Sequence, residues 1–238
     1  MKAAIDLGNS RLKVLRSDGF YASWQALSVD WSALEEVLNP ADEVIVSSVN
    51  PAVEPALQEF LRTKWQVVDA RHLIEQRPLP VTIQAEGIGI DRVLGVLGAL
   101  RYATPPLMVV DLGTATTATI VDQHWRVVGG YILPGMELQL RAMRQTFPHL
   151  VLPSGFEECR IEPGTHTLAA VQAGICLSMA AFLRAARAEA EKCCAASSLA
   201  VVATGGAAAR VLSCLPDFAC TVVPTLVLEG ALKLLMER

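Results

Sequence analysis

The chain has 238 residues, a length that suits one large domain or two domains of about 110 residues each. Hydrophobic residues make up 52% of it and charged residues 18%, so long disordered regions are not expected. The net charge of −4 and the lack of any run of Lys and Arg provide no general attraction to nucleic acid, and no partner of that class is expected.

The first half of the chain alternates strand-like apolar runs with amphipathic segments of helix length, the pattern of an α/β protein. Pro51 favours the start of a helix, because its missing N–H is not needed there. The pair Pro105-Pro106 predicts a boundary between domains 1–105 and 106–238. In chain order we expect strands at 2–7 and 12–16, a helix at 31–38, a strand at 43–48, a helix at 51–64, a strand at 66–69 and a helix at 92–102.

The second half repeats this alternation. Its longest amphipathic segment, 167–192, is rich in Ala and Leu with apolar positions at three-to-four spacing, which predicts one long helix. The expected elements are strands at 107–112, 116–121 and 127–133, helices at 137–145 and 167–192, a strand at 199–203, a helix at 207–214, a strand at 219–223 and a helix at 226–236.

Neither a targeting segment nor a membrane span is expected. The N-terminus reaches Asp6 after only three apolar residues, too few for a secretory signal. The most apolar stretch, 168–183, has 16 residues, fewer than the ~20 that cross a bilayer, and predicts a buried helix. The six cysteines form no Cys-x-x-Cys pair and the four histidines lack metal-ligand spacing, so free thiols in a reducing cytoplasm are expected.

One short pattern occurs twice. Asp6-Leu7-Gly8-Asn9-Ser10 follows the first strand, and Asp111-Leu112-Gly113-Thr114-Ala115 follows another strand 105 positions later. Each copy predicts a strand, a tight glycine turn and a second strand, with a carboxylate at the strand end and backbone N–H groups on the turn. Two such turns have the donors and carboxylates to hold a polyphosphate and its cation.

The first copy is the fuller of the two. Gly8 keeps side-chain bulk away from a phosphate, Asn9 and Ser10 offer donors, and Lys13 could reach a phosphate oxygen. Asp6 could hold hydrated Mg²⁺. The alternative is an ordinary hairpin turn, in which Asp and Asn are common for structural reasons. One copy alone would be explained in that way, whereas the presence of two copies favours a functional role.

The second copy predicts a phosphate donor at Thr114 and a second cation at Asp111, while Thr116 and Thr117 are as well explained as strand residues. Thr204-Gly205-Gly206, after an apolar strand, permits close approach of a flat ligand such as adenosine, or is an ordinary strand-to-helix turn. Neither a P-loop nor a Rossmann fingerprint is present.

Gly89-Ile90-Asp91-Arg92 precedes a predicted helix. An Asp at a helix N-cap is usually structural. The same position could instead place a carboxylate to take a proton from an attacking hydroxyl, with Arg92 fixing an anionic substrate.

Taken in order, these segments resemble those of the bacterial type III pantothenate kinases, which belong to the superfamily of sugar and acetate kinases, heat-shock chaperones and actin. The resemblance covers nearly the whole chain. It is carried by Asp6–Lys13, Ser47–Pro51, Gly89–Arg92, Asp111–Thr117, Gly129–Gly135, Thr204–Gly206 and Pro224–Gly230.

The resemblance implies an α/β protein of two duplicated ribonuclease-H-like domains, the actin-like ATPase fold, with an active-site cleft between the domains and usually in a homodimer. It implies ATP-dependent phosphorylation of pantothenate to 4′-phosphopantothenate, the first step of coenzyme A synthesis, in the cytoplasm. The expected cofactors are ATP, Mg²⁺ and a monovalent cation, potassium or ammonium.

The resemblance also implies site residues. Asp91 would be the general base, Asp111 would bind the monovalent cation and Asp6 would hold Mg²⁺ through water. The residues implied for pantothenate are Gly89, Ile90, Asp91, Arg92 and Thr167. Those implied for ATP are Asp6, Leu7, Gly8, Asn9, Ser10, Arg11, Leu12, Lys13, Thr114, Gly205 and Gly206.

Two departures from the family pattern keep alternatives open. His166-Thr167 stands where family members commonly have Asn-Thr, and 80–88 lacks the Tyr that many have there. One alternative is a regulatory or binding protein that kept the fold and lost activity. Another is a kinase for a different hydroxylated small molecule, because the fold does not fix the substrate.

Overall fold

The structure is a computed structural model that describes residues 1–237. Contacts between Cα atoms divide the chain into two compact units. Unit 1 comprises Met1–Tyr102 and the segment from Thr225 onwards, and unit 2 comprises Ala103–Pro224.

The strands are β1 (Lys2–Leu7), β2 (Arg11–Arg16), β3 (Tyr21–Gln25), β4 (Glu43–Ser48), β5 (Gln66–Asp69), β6 (Thr82–Ile83), β7 (Leu107–Leu112), β8 (Ala115–Val121), β9 (Arg126–Pro134), β10 (Ala200–Thr204) and β11 (Thr221–Val222). The helices are α1 (Trp31–Leu38), α2 (Glu54–Arg62), α3 (Ala70–Glu75), α4 (Ile90–Ala99), α5 (Met136–Thr146), α6 (Thr167–Cys193), α7 (Ala208–Ser213) and α8 (Leu226–Met236).

The sheet of unit 1 has the strand order β3-β2-β1-β4-β5. Strand β2 is antiparallel to both of its neighbours, while β1, β4 and β5 run parallel. Alternate residues of β1 face opposite ways: Ala3 and Ile5 join a core cluster with α1 and α2, and Ala4 joins another with α4 and α8. This order and these directions are those expected for a ribonuclease-H-like domain.

Unit 2 repeats the topology. Its strands follow the order β9-β8-β7-β10-β11, with β8 antiparallel to its neighbours and β7, β10 and β11 parallel. Each of the five strands in the sheet of unit 1 thus has a counterpart at the same place in this order. The duplication predicted from two short loops therefore extends to the whole sheet.

Helix α6 forms much of the core of unit 2 through residues such as Cys176, Met179 and Leu183. By length and composition alone it is the one described helix that could cross a membrane, and 33% of its apolar window is buried. The single long helix expected at 167–192 is confirmed over nearly the predicted range, but the expectation that it is buried holds only for the residues that face the core of unit 2.

Several predicted boundaries were wrong for local reasons. Helix α2 begins at Glu54 rather than Pro51, because the side chain of Asn50 accepts hydrogen bonds from the N–H groups of Ala52 and Val53 and forms a turn first. Helix α4 begins at Ile90, two residues earlier than predicted, with Gly89 in an extended conformation at its N-cap. Strand β3 and helix α3 were not predicted.

The assignment of the C-terminal helix also differs from the predicted domain 106–238. Helix α8 belongs to unit 1 because its backbone approaches that of α4 closely: a Cβ on Gly230 would lie 1.9 Å from the carbonyl oxygen of Leu94, and one on Gly98 would lie 2.2 Å from that of Leu226. The first crossing between the units, at residue 102, is close to the predicted boundary at 105.

Candidate active site

The first loop is a tight turn between β1 and β2. The N–H of Gly8 donates to the carbonyl oxygen of Arg11 at 2.9 Å, which closes the turn. The strand register pairs Asp6 with Lys13, so both side chains lie on one face of the sheet. The Nζ atom of Lys13 is 3.6 Å from Oδ2 of Asp6, and Asp6 is only 7% exposed.

The carboxyl group of Asp6 is held in an environment that disfavours its charge. Burial raises its pKa, Lys13 lowers it, and the negative charge of Asp91 raises it again. Asp91 is therefore close enough to act on Asp6, although the two residues lie 85 positions apart in the chain. A buried carboxylate with one lysine and a second carboxylate nearby is suited to a bound cation.

Asn50 holds the first loop in place. Its Nδ2 atom donates to the carbonyl oxygen of Gly8 at 3.1 Å and lies 3.5 Å from that of Asn9. Its Oδ1 atom accepts hydrogen bonds from the N–H groups of Ala52 and Val53 in the turn before α2. With 6% of its surface exposed, Asn50 links the phosphate-loop candidate to the end of β4. The sequence marked 47–51 as a family segment but assigned this residue no role.

Ser47 is a second residue without a predicted role. It pairs with Asp6 across β1 and β4, so the two side chains share a face of the sheet. Ser47 is 2% exposed, and within residues 1–237 its Oγ atom has no hydrogen-bond partner. It borders a cavity of about 120 Å³ whose other lining residues are Val46, Ser48, Glu54, Asp69, Arg71 and Ile90.

Helix α4 brings Asp91 and Arg92 to the same unit. Gly89 occupies the N-cap, so Asp91 is not the capping residue and lies in the first turn of the helix. A Cβ on Gly89 would lie 2.4 Å from Oδ1 of Asp91, which shows that the carboxylate folds back over the glycine. Burial lowers the pKa of Arg92, and Asp91 partly opposes that shift. A side chain at position 89 would therefore displace this carboxylate from its place.

The second loop, in unit 2, is one residue tighter than the first. The N–H of Gly113 donates to the carbonyl oxygen of Ala115 at 3.2 Å, and the register pairs Asp111 with Thr117 where the first loop pairs Asp6 with Lys13. The second loop consequently has no cationic residue at the place of Lys13. The two loops share a topology and differ in chemistry.

Glycines surround the second loop. Gly205 has a φ of +98°, and a Cβ there would lie 2.5 Å from both Oδ1 of Asp111 and the carbonyl carbon of Leu112. A Cβ on Gly135 would lie 2.1 Å from the carbonyl oxygen of Gly113. The backbone thus closes around Asp111 and the turn, and a side chain at Gly205 would collide with both.

The sequence and the fold both resemble those of known proteins. The family model described as type III pantothenate kinase matches residues 3–189. A type III pantothenate kinase of Pseudomonas syringae is 30% identical over 95% of each chain, and one of Dichelobacter nodosus is 34% identical over 63% of this chain and 66% of its own. The chain belongs to the type III pantothenate kinase family.

Membership of this family gives the activity. The protein is a kinase that uses ATP to phosphorylate pantothenate in coenzyme A biosynthesis. The fold agrees: an archaeal actin homologue superposes with a TM-score of 0.55 at 12% identity, covering 100% of this chain and 99% of its own. At that identity the likeness concerns the fold alone, and it confirms the expected actin-like ATPase fold.

The predicted site residues of the kinase fall into two sets. Unit 1 brings together Asp6, Lys13, Asp91 and Arg92, and unit 2 brings together Asp111, Gly113, Thr114 and Gly205. No group of three or more His, Cys, Asp or Glu side chains that could hold a metal occurs within the described part of the chain.

Three of the predicted ATP residues and one of the predicted substrate residues have side chains that are buried or already hydrogen-bonded. Leu7 and Leu12 are fully buried in the core of unit 1, so only their backbone atoms are available. Arg11 is exposed and donates to Oγ of Ser23 at 2.8 Å. Ile90 is the first residue of α4, and its side chain is 4% exposed and packs in the core of unit 1.

Thr167 is the first residue of α6 and is exposed. The ring of His166 caps this helix, with Nδ1 accepting from the N–H of Ala169 at 3.4 Å. Asn, the commoner family residue at 166, is also a good N-cap. The departure at His166 therefore preserves the start of the helix that presents Thr167.

Proposed function

We propose that Asp91 is the general base of the pantothenate kinase reaction. It takes the proton from the pantothenate hydroxyl as that oxygen attacks the γ-phosphorus of ATP, and ADP leaves with the electrons of the broken bond. The observation that carries this assignment is the position of Asp91. Its carboxylate lies over Gly89 in the first turn of α4 and acts electrostatically on Asp6 of the phosphate loop.

The first loop is proposed to bind the phosphates of ATP. Gly8 keeps the turn free of side-chain bulk, and Asn9 and Ser10 are exposed and can donate. The ammonium group of Lys13 provides a positive charge for the phosphoryl oxygens while the bond between the γ-phosphoryl group and ADP breaks. Thr114, Gly205 and Gly206 are proposed as the ATP residues of unit 2, where the second loop has hydroxyl and backbone donors without a cation.

The residues around Asp6 fit Mg²⁺. This ion needs one or two carboxylates and keeps several waters, and the buried Asp6 carboxylate, whose pKa is raised by burial, gains from a nearby positive charge. When bound, Mg²⁺ neutralises charge on the phosphate oxygens. Asp6 would orient the waters of the ion, while Lys13 lowers the pKa of this carboxyl against the larger effect of burial.

The residues around Asp111 fit a monovalent cation. Its Oδ1 atom lies 3.2 Å from the place of a Cβ on Gly113 and 2.5 Å from that on Gly205, so backbone groups crowd around one carboxylate oxygen. Carbonyl and carboxylate oxygens are the ligands that potassium prefers among protein groups. We propose potassium or ammonium here, where the single negative charge of Asp111 suits a single positive one.

Pantothenate is proposed to lie against Gly89, Ile90, Arg92 and Thr167. Arg92 is partly desolvated, which strengthens its attraction to the carboxylate of the substrate. Because Ile90 is buried, its contribution is a backbone one.

The test is a coupled kinase assay with ATP, pantothenate, Mg²⁺ and potassium. Asp91→Asn should lower kcat about 10²–10⁴-fold, the usual contribution of one placed base, while pantothenate still binds by calorimetry. Asp217→Asn, which alters an exposed aspartate paired with Arg184, should leave kcat unchanged. Normal turnover in Asp91→Asn would refute the assignment, and absence of wild-type turnover with intact binding would favour a lapsed enzyme. A panel of other hydroxylated acceptors tests the substrate.

The protein is further proposed to be a cytoplasmic homodimer without a nucleic-acid or membrane partner. Unit 2 carries exposed apolar side chains that suit a second copy of the chain: Tyr131 is 40% exposed, Leu177 52% and Ile132 65%. Tyr131 packs edge-to-face on Phe182 at 6.2 Å, which keeps it fixed. Sedimentation should show a dimer, and Ile132→Glu should yield a folded monomer.

A further inference from the structure

Three of the six cysteines meet inside unit 2, and none of them is a residue assigned to the kinase reaction. The Sγ atom of Cys214 donates to Sγ of Cys159 at 3.5 Å, and the thiol of Cys159 in turn donates to Cys176. Cys176 and Cys159 are buried, whereas Cys214 is partly exposed. The three sulfurs form a row from the surface of unit 2 into its core, which we call the thiol row.

The elements that carry the thiol row differ in rigidity. Cys176 lies within α6 and Cys214 is the C-cap of α7. Cys159 lies in 147–166, a segment without helix or strand that connects α5 to α6. This segment can therefore adjust the position of Cys159 by the ångström or so that separates thiol contact from a disulfide of about 2 Å.

The surroundings of the thiol row favour a thiolate at its inner end. The hydrogen bond from Cys159, then the N–H of Arg160 and the charge of Arg210, lower the pKa of Cys176 to about 7 against the opposing effect of burial. The pKa of Cys159 is raised above its usual range, mainly by its bond to Cys176. Cys176 is thus placed to accept the proton of Cys159.

The other three cysteines provide an internal comparison. Cys193 is exposed, Cys194 is buried and Cys220 is intermediate. Burial raises the pKa values of Cys194 and Cys220, so neither thiol is activated. Cys220 matches Cys214 in exposure and lies six positions away, which makes it the natural control.

We propose that Cys159 and Cys214 form a reversible disulfide when the protein meets hydrogen peroxide. The sulfur of Cys214, the most accessible of the row, attacks one peroxide oxygen as its S–H proton leaves. The O–O bond breaks, Cys214 becomes a sulfenic acid, and the departing hydroxide takes up one proton and leaves as water. Cys159 then attacks the Cys214 sulfur as its own proton passes to the Cys176 thiolate. The S–O bond of the sulfenic acid breaks, and the departing hydroxide takes up a proton from solvent and leaves as a second water. The two sulfurs together lose two electrons, which reduce the peroxide.

The bond has a structural consequence. It joins the irregular segment 147–166 to the end of α7, a helix whose Arg210 already pairs with Glu137 of α5 at 2.8 Å. The segment ends at His166, and α6 begins at Thr167. Oxidation is therefore expected to restrict the segment that leads into the proposed pantothenate contact.

Peroxide treatment of the reduced full chain, alkylation of the remaining thiols and peptide mass spectrometry test the proposal. Trypsin releases Cys159 in 145–160 and places Cys214 together with Cys220 in 211–233, and chymotrypsin then cuts after Phe218 to separate those two. We expect a peptide linking 159 to 214 that is lost on reduction with dithiothreitol. Cys220→Ser should retain this link, and Cys159→Ser should abolish it.

Limited proteolysis supplies an independent readout. A Glu-specific protease should cut at Glu157 and Glu158 several-fold more slowly after oxidation of the wild type and of Cys220→Ser, but at an unchanged rate in Cys214→Ser. Cys176→Ser should form the 159–214 link more slowly, because the proton acceptor is lost. A link from 214 to 220 or from 159 to 176 in its place, or oxidation of Cys193 while 159 and 214 stay reduced, would overturn the proposal.

Discussion

The side-chain amide of Asn50 donates to the carbonyl oxygen of Gly8 at 3.1 Å and so joins two segments 42 positions apart. One end of Asn50 fixes the first phosphate loop and the other fixes the turn before α2. Because the residue is nearly fully buried, no water can replace these bonds when the amide is removed. The shape of the loop thus depends on a residue outside it.

Asn50→Ala should weaken ATP binding and destabilise unit 1. The loss of three or four buried hydrogen bonds to one side chain should cost about 1–3 kcal/mol of unfolding free energy, and the loosened loop should raise the KM for ATP roughly tenfold. Urea unfolding and steady-state kinetics measure the two effects. Asn39→Ala, which removes an exposed amide, should change neither. An unchanged KM for ATP with reduced stability would restrict Asn50 to a structural role.

Asn50 also shows where sequence reasoning stopped. The strands beside both loops were predictable, because apolar runs ended by Asp-Leu-Gly constrain the local backbone. The neighbours of those loops were not, since the contact of Asn50 with Gly8 and the closeness of Asp6 and Asp91 arise only when distant segments pack. The place of α8 in unit 1 likewise depends on Gly98 and Gly230, which sequence alone reads as ordinary helix glycines.

Asp6 should destabilise the unliganded protein at neutral pH. Its folded-state pKa is raised above the value of 3.8 that applies to the unfolded chain, so the folded state binds this proton more tightly. The free energy of unfolding then falls as pH rises from 3.8 through the folded pKa, and the loss persists at neutral pH. Asp6→Asn removes the charge and should stabilise the protein by ~0.5–2 kcal/mol at neutral pH while abolishing turnover.

Thermal unfolding from acid to neutral pH checks this expectation, and the gain in Tm should vanish at acid pH, where Asp6 is protonated in both states. Asp18 provides the opposite case. A hydrogen bond from Arg16 lowers the pKa of its carboxyl, so Asp18→Asn should lower Tm slightly at neutral pH. A loss of stability in Asp6→Asn would mean that the bond to Lys13 outweighs the effect of burial.

Gly205 and Gly206 should respond differently to the same substitution. Ala at Gly205 would need a φ of +98° and would put its Cβ 2.5 Å from the carboxylate of Asp111. Gly205→Ala should therefore lower the free energy of unfolding by about 1–3 kcal/mol and remove any activation by potassium. A Cβ on Gly206 meets no described atom within 4 Å, so Gly206→Ala should unfold in urea as the wild type does. Equal stability of the two variants would show that the backbone around Asp111 can move to make room for a Cβ at position 205 at little cost in free energy.

Glu229 should hold the C-terminal helix in unit 1. Its Oε2 atom accepts from the guanidinium of Arg101 at 3.0 Å and from the hydroxyl of Tyr102 at 2.7 Å, and its Oε1 atom accepts from Oγ1 of Thr225 at 2.7 Å. One carboxylate thus joins the residues at which the chain leaves unit 1 and re-enters it. Glu229→Ala should lose about 1–3 kcal/mol of unfolding free energy, because a charged acceptor with three donors is removed.

Amide hydrogen exchange identifies which elements lose stability in Glu229→Ala. Amides of α8 should exchange faster in Glu229→Ala, while those of the unit 2 sheet keep their wild-type rates. Glu237→Gln alters an exposed carboxylate beyond the same helix and should leave exchange unchanged. Tyr102 offers a second measurement, because the hydrogen bond to Glu229 raises the pKa of its hydroxyl. Replacing Glu229 should lower that pKa, and an unaltered titration would show that the bond does not form in solution.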